Sequence, residues 1–187
     1  MNKNNHTRTL VMTSMLAALV FVITFLVAIP IPSTSAYVNM GDSIIYCTGM
    51  LLGAPWAALA AGVGSALADW AIGFPVYIPA TLIIKGLMGF VCGLIMKKAS
   101  SGHDGLAGEH GNNAVASKNS RFIRFIVASV LAGAIMVIGY GLYELVFMGG
   151  WGYASATIIP NLIQWIGGVA GGIALYFPVK RIGASIK

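Results

Sequence analysis

Long apolar runs recur along the sequence, separated by short stretches that are rich in Pro, Gly and polar residues. A run of about 20 apolar residues forms a helix that can cross the roughly 30 Å hydrocarbon core of a bilayer. Hydrophobic residues make up 58% of the chain and charged residues only 9%, whereas soluble domains carry about 25% charged residues. The sequence therefore predicts an all-α membrane protein.

We expect a single domain, residues 1–187, with six transmembrane helices. Proline and glycine turns mark the ends of the spans, and the second and third spans are short for a full crossing. Between the fourth and fifth spans the composition changes to Ser, Gly, Asn and His, which predicts a flexible cytoplasmic loop at about 99–120. The predicted spans cover about 10–29, 43–53, 57–72, 80–96, 122–148 and 158–177.

The basic residues lie almost entirely on one side of this topology. Six crossings place both termini on the same side, and ten of the eleven Lys and Arg residues fall there. By the positive-inside bias, the N and C termini are cytoplasmic. Topology and contact with the lipid bilayer thus account for the net charge of +6, and we expect no nucleic-acid partner.

Polar residues inside the apolar spans concentrate in the outer half of the predicted bundle. At 1.5 Å per helical residue, Lys85 lies roughly 18 Å from Lys97 at the cytoplasmic end of its span, and Glu144 lies about 30 Å from Arg124. Intramembrane charges are costly, so they usually pair, face a cavity and mark a functional site. We therefore expect a solute pocket that opens to the exterior. Its candidate residues are Asp42, Asp69, Tyr77, Lys85, Tyr140, Glu144, Trp151, Asn161 and Gln164.

The spacing of these residues supports a pocket. Tyr140 and Glu144 are four residues apart and so share one face of a helix. Tyr77 and Trp151 fall in predicted outer loops, where their rings could cover a bound aromatic molecule.

Two structural explanations compete with the pocket. Lys85 could form an ion pair with Asp69 or Glu144 that only fixes helix packing. Lys85 cannot neutralise Asp42, Asp69 and Glu144 together, so an ion pair alone does not explain all of these intramembrane charges. Asp42 could serve only as the N-cap of the second helix.

Small residues spaced four apart on the first span suggest a docking surface for a partner protein. Such pairs let helix backbones approach closely. Two sets fit this spacing, Thr13 with Ala17 and Ser14 with Ala18. Internal packing of the bundle is the alternative, and we favour it for the glycine pairs of the later spans.

The sequence contains no motif for catalysis or metal binding. It has no GxxxxGK[ST] phosphate loop, no HExxH and no Ser/His/Asp set within the spans, so we expect no enzyme and no ATP hydrolysis by this chain. The three histidines fall in segments predicted to be flexible, and the two cysteines fall in apolar spans as small hydrophobic residues. We expect no metal and no cofactor.

The segments GDSIIY, LLGAPWAALAAGVGSALADW and FPVYIPATLIIKGLMGFVCG, in this order over residues 41–93, resemble the substrate-binding S components of energy-coupling factor (ECF) vitamin transporters. The chain is similar to their riboflavin or hydroxymethylpyrimidine group. The resemblance implies a multi-pass subunit of the bacterial plasma membrane that captures a vitamin from outside. It also implies docking through the first helix on a membrane coupling protein, the T component, whose two ATPase subunits use the ATP. The AxxxA-like docking motif of the family corresponds here to Ser14 with Ala18 or to Thr13 with Ala17.

The expected substrate is a small heteroaromatic vitamin or precursor. Acids, amides, aromatic rings and one lysine suit hydroxymethylpyrimidine or pyridoxine, which we favour. Pantothenate, whose carboxylate Lys85 could hold, and riboflavin are alternatives. A ligand-free membrane scaffold and a stand-alone carrier are alternatives from other classes.

Overall fold

The computed structural model describes residues 3–32, 36–101 and 112–185, and within them the chain is almost entirely helical. Six α-helices are present in this part of the chain, together with a short hairpin, a 3-10 turn and a π-helical turn. The elements in order are α1 (Lys3–Leu26), β1 (Ile29–Pro30), β2 (Tyr37–Val38), α2 (Gly41–Leu52), α3 (Ala54–Ile72), the 3-10 turn Pro75–Tyr77, α4 (Ile78–Ser101), α5 (Asn112–Tyr143), the π turn Glu144–Met148 and α6 (Trp151–Ser185).

Four stretches of the described helices are long and apolar enough to cross a membrane, and they belong to α1, to α4, to α5 and to α6. α2 has 12 residues, which span about 18 Å and so cannot cross about 30 Å of hydrocarbon alone. The all-α class is confirmed. Six full crossings and the cytoplasmic side of both termini stay predictions.

The helices extend into the stretch that was predicted to be a flexible loop at 99–120. α4 continues to Ser101 and α5 begins at Asn112, so both ends of that stretch are helical, and residues 102–111 lie outside the described part of the chain. The flanks contain Ala, Lys and Arg, which favour helix and allow it to continue past the apolar run. Composition alone located the change in polarity but not the ends of the helices.

α6 is also longer than its predicted span of 158–177. It begins at Trp151 and continues through Pro160 and Pro178. A proline inside a transmembrane helix is tolerated because neighbouring helices and side chains satisfy the backbone groups that it frees. The predicted span of 158–177 is therefore too short at both ends.

A small hairpin connects α1 to α2. Ile29 pairs with Val38 and Pro30 pairs with Tyr37 in an antiparallel arrangement. The sequence predicts only a connection between the first two spans here, because two-residue strands are too short to give an alternating pattern. Residues 33–35 lie outside the described residues.

Glycines allow α3 and α4 to approach closely. A Cβ atom at Gly89 would collide with the backbone of Ala57, and one at Gly93 would collide with Ala54. Both glycines therefore serve internal packing, as expected for the later glycine pairs. The two cysteines are free and buried in the core.

The first helix presents its two sets of small residues to different surroundings. The carbonyl of Ala17 lies against Gly64 of α3, and Thr13 is buried with its hydroxyl bonded within its own helix. Ser14 and Ala18 are exposed. The first set, with Thr13 buried and Ala17 half-buried, therefore packs inside the bundle, whereas both residues of the second set are exposed.

Candidate functional site

The polar residues of the bundle surround one cavity of about 400 Å³, a volume that includes its opening to solvent. All the described helices except α2 contribute to its wall, as do the hairpin and the turns that follow α3 and α5. The lining residues are Thr24, Ala36, Tyr37, Asn39, Ser65, Asp69, Tyr77, Thr81, Lys85, Tyr140, Glu144, Asn161 and Gln164.

Seven of the nine predicted site residues line this cavity. Asp42 lies behind the wall, where its carboxylate contacts two lining residues. Trp151 is not among the lining residues and is 71% exposed. It starts α6 directly after Gly149 and Gly150, which both have positive φ, and this turn leaves the indole outside the cavity. The structure therefore does not bear out the expectation that Trp151 covers a bound ring.

A buried ion pair forms the base of the site. Lys85 donates to one oxygen of Asp42, and the Nε2 atom of Gln164 donates to the other at 2.9 Å. Met136 accepts from Lys85 at 3.3 Å, and the ammonium group lies 5.5 Å from the ring centre of Tyr140. Both carboxylate oxygens and the ammonium are thus partnered, which a buried ion pair requires.

The ion pair between Lys85 and Asp42 contradicts both structural explanations that the sequence left open, an ion pair of Lys85 with Asp69 or Glu144 and an N-cap role for Asp42. Lys85 pairs with neither Asp69 nor Glu144. Asp42 is not an N-cap, because Met40 holds that position and Asp42 is the second residue of α2. The carboxylate at the start of α2 instead reaches across to α4.

Gln164 connects the ion pair to the segment before α2. Its Oε1 atom accepts a hydrogen bond from the backbone N–H of Asn39 at 2.8 Å, while its Nε2 group donates to Asp42. The Asn39 side chain in turn accepts from the backbone N–H of Gly41 at 2.9 Å. Through these contacts the start of α2 is fixed against α6.

Asp69 faces the cavity from α3 with one oxygen bonded and one not. The Tyr37 hydroxyl donates to Oδ1 at 2.6 Å, and the Tyr37 ring stacks on Phe74. Burial and the neighbouring carboxylate raise the pKa of Tyr37, which keeps its hydroxyl protonated as a donor. Oδ2 is buried and accepts no hydrogen bond of good geometry from the described residues, although the Thr81 hydroxyl lies nearby.

Glu144 is held differently, because hydroxyl groups bond to both of its oxygens. Tyr77 donates to Oε1 at 2.9 Å, and Thr157 donates to Oε2. Glu144 opens the π-helical turn at the end of α5, a local irregularity that often occurs at functional sites. Glu144 therefore positions Tyr77, which lies at the cavity.

Sequence reasoning missed six lining residues. Ser65 and Thr81 precede Asp69 and Lys85 by one helical turn on the same faces, a spacing that could have indicated them. The hairpin residues gave no periodic signal, and an isolated threonine in an apolar span is common. The six are Thr24, Ala36, Tyr37, Asn39, Ser65 and Thr81.

The cavity wall has the chemistry of a binding site. It combines three tyrosine rings with hydroxyl, amide and carboxyl groups, and neither His nor Cys is among its lining residues. Pockets with aromatic walls and a few convergent polar groups are typical sites for small molecules.

Comparisons with known proteins agree with this architecture. The family described as ECF-type riboflavin transporter, S component, matches residues 4–181. A protein of Pyrococcus woesei, described as an uncharacterised protein in gap 3' region, is 35% identical over 90% of this chain and 99% of its own length. The thiamine precursor transporter HmpT of Lactococcus lactis subsp. cremoris (strain MG1363) is 26% identical over 96% of this chain and 92% of its own length.

The fold has a counterpart among solved structures. The crystal structure of the S component for biotin from an ECF-type ABC transporter aligns with a TM-score of 0.66 at 18% identity, over 97% of this chain and 94% of that chain. This structural similarity shows the fold. The family match over most of the chain shows that the protein is a membrane transport protein for vitamin uptake. The subunits of this family are non-catalytic. The chain belongs to the ECF-type riboflavin transporter S component family.

Proposed function

We propose that this chain binds hydroxymethylpyrimidine, or the similar pyridoxine, and delivers it through an ECF importer. The observation that carries the proposal is the cavity of about 400 Å³ with its polar and aromatic wall. The similarity to a protein named for transport of a thiamine precursor, over almost the whole chain, supports the same substrate class.

The charge of the wall favours a neutral, donor-bearing ligand. Lys85 is the single basic residue among those that line the cavity, and its ammonium is already paired with Asp42. A carboxylate ligand such as pantothenate would have to compete with that ion pair and would face Asp69 and Glu144. A heteroaromatic ring with amino and hydroxyl groups can instead donate to Asp69, whose Oδ2 atom has no partner of good geometry, and stack on the tyrosines.

Riboflavin remains the second candidate because the matching family carries its name. Its three-ring system and ribityl chain are much larger than a single substituted pyrimidine ring. The similarity to a protein named for transport of a thiamine precursor favours the smaller molecule.

The importer needs partner subunits, and the accessible face of α1 suggests where they dock. We place the T component on Ser14 and Ala18, which are exposed, rather than on Thr13 and Ala17, which face into the bundle. Small residues one turn apart allow a partner helix to approach closely. The two ATPase subunits bind the T component and use the ATP. We also propose that the chain lies in the bacterial plasma membrane with cytoplasmic termini and six membrane-embedded helices, of which α2 is too short to span the bilayer by itself.

The substrate is tested by thermal unfolding of the detergent-purified protein with water-soluble vitamins and precursors. A ligand at about 100 times its dissociation constant should stabilise the fold by about 2.7 kcal/mol. We expect the melting temperature to rise with hydroxymethylpyrimidine or pyridoxine and not with pantothenate. A rise with riboflavin alone would favour the second candidate. A flat response to every compound would favour a ligand-free scaffold, and transport by the chain alone in liposomes would indicate a stand-alone carrier.

Glu144→Gln should weaken binding of the identified ligand about tenfold or more. The change replaces an acceptor oxygen with an amide donor and removes a hydrogen bond to a charged group, which contributes about 1.5–3 kcal/mol. Tyr77 would then lose its fixed orientation at the cavity. Isothermal titration calorimetry measures the effect, and Tyr77→Phe is the matched variant because it removes the same bond from the other side. Wild-type affinity in both variants would contradict this role.

A further inference from the structure

Three buried polar atoms in the cavity wall have no hydrogen-bond partner within the described part of the chain. They are Oγ1 of Thr24, Oγ of Ser65 and Oδ2 of Asp69. Each of these residues is 2% exposed. A buried polar group without a partner is destabilising, and most buried polar groups in proteins are bonded.

The three residues line the cavity from the neighbouring helices α1 and α3, and the Thr24 hydroxyl lies beside Gly41 at the start of α2. His6 contacts Trp56 at one end of this helix pair, and Val20 packs against Gly64 further along, so the two helices run in the same direction. Thr24 lies one turn beyond Val20. Ser65 and Asp69 are four residues apart, on one face of α3 just beyond Gly64.

The chemistry of this wall is defined by the Asp69 carboxylate, whose Oδ2 atom has no hydrogen-bond partner of good geometry among the described residues. Tyr37 bonds to the other oxygen at 2.6 Å and fixes the orientation of the carboxyl group. A carboxylate oxygen accepts hydrogen bonds only, whereas the two hydroxyls can either donate or accept. The wall therefore suits a ligand substituent that donates, such as an amino or hydroxyl group, and disfavours an anionic group.

We infer that Thr24, Ser65 and Asp69 form the subsite that receives a hydrogen-bond-donating substituent of the substrate, the amino group in the case of hydroxymethylpyrimidine. This inference rests on the proposed function and assigns its specificity to particular atoms. It also separates the acids by role. Asp69 contacts the substrate, while Glu144, whose oxygens are both bonded within the protein, acts as a positioning residue.

The test is a thermodynamic cycle in which a ligand substituent and a protein side chain are removed separately and together. Calorimetry on the detergent-purified protein compares hydroxymethylpyrimidine with its analogue that lacks the amino group. We expect loss of the amino group to weaken binding to the wild type about tenfold or more, as for a hydrogen bond to a charged group. In Asp69→Asn the two compounds should bind with nearly equal affinity.

Ser65→Ala and Thr24→Val test the two hydroxyls, and they keep the test informative where Asp69→Asn fails to fold. Each should weaken binding of hydroxymethylpyrimidine about two- to tenfold, as expected for a neutral hydrogen bond. Ser129→Ala and Thr48→Val are matched controls, because both residues are buried outside the cavity wall and bond to backbone carbonyls of their own helices. Both controls should bind as the wild type does.

Two negative results have different meanings. If neither compound nor pyridoxine binds to the wild type, the proposed function fails and the subsite fails with it. If hydroxymethylpyrimidine binds but the three variants discriminate between the two compounds as the wild type does, the subsite alone is overturned. Such a result would mean that water satisfies the three atoms.

Discussion

Lys85→Met is expected to lower the free energy of unfolding by about 3–5 kcal/mol, because it leaves the fully buried carboxylate of Asp42 without its cation. The hydrogen bond from Gln164 remains but cannot neutralise the charge. Methionine is similar in length to lysine, so the loss reflects charge rather than a cavity. Thermal or denaturant unfolding in detergent measures the change, and ligand binding should fall as well because Lys85 lines the cavity.

Two further variants separate the ion pair from general effects of charge. The double variant Lys85→Met with Asp42→Asn removes both charges and should recover much of the lost stability, since the penalty comes from the unpaired partner. Arg124→Met removes a cation from an exposed position and should change stability by less than about 0.5 kcal/mol. If Lys85→Met unfolds like the wild type, the carboxyl group of Asp42 does not depend on Lys85.

Helix arithmetic was sufficient to bring most of the site together from sequence. A rise of 1.5 Å per residue placed Lys85 and Glu144 in the outer half of the predicted bundle, and both line the cavity. Depth along a helix does not specify the direction of a side chain around the bundle. The sequence therefore could not identify the ion-pair partner of Lys85. In the structure this partner is Asp42, a residue that the sequence also allowed as an N-cap.

The errors occurred where local pattern carries little information. The hairpin that brings Tyr37 to Asp69 has two-residue strands and includes Pro30, so the sequence indicated only a connection between the first two spans. Trp151 was assigned to the cavity by its aromatic character, but a turn of two glycines with positive φ leaves it exposed. Its spacing of four residues from Asp69 could have indicated Ser65, but whether it faces the cavity depends on how α3 packs against its neighbours.

The two sets of small residues on α1 show the same limit. The sequence alone does not distinguish Thr13 with Ala17 from Ser14 with Ala18, because each set is a pair of small residues four positions apart. Only the packing of Ala17 against Gly64 shows which set is used inside the bundle. The accessible set then makes a sharp prediction about transport.

Ser14→Trp is expected to reduce uptake to background while substrate affinity stays as in the wild type. Ser14 is exposed and its hydroxyl bonds to the Leu10 carbonyl of its own helix at 3.1 Å, so the change leaves the described bundle intact. An indole at this position would hold a partner helix away from Ala18, where close backbone approach is needed. Uptake is measured in proteoliposomes that contain the T component and both ATPases, and affinity is measured by calorimetry on the isolated subunit.

Ile123→Trp is the matched control, because Ile123 is an exposed residue of α5 and lies away from the small-residue face of α1. It adds the same ring to the surface and should leave uptake and co-purification with the T component unchanged. Ser14→Trp should lose that co-purification. Normal uptake by Ser14→Trp would contradict docking through Ser14 and Ala18, and weakened substrate binding would mean that this face of α1 supports the cavity rather than a partner.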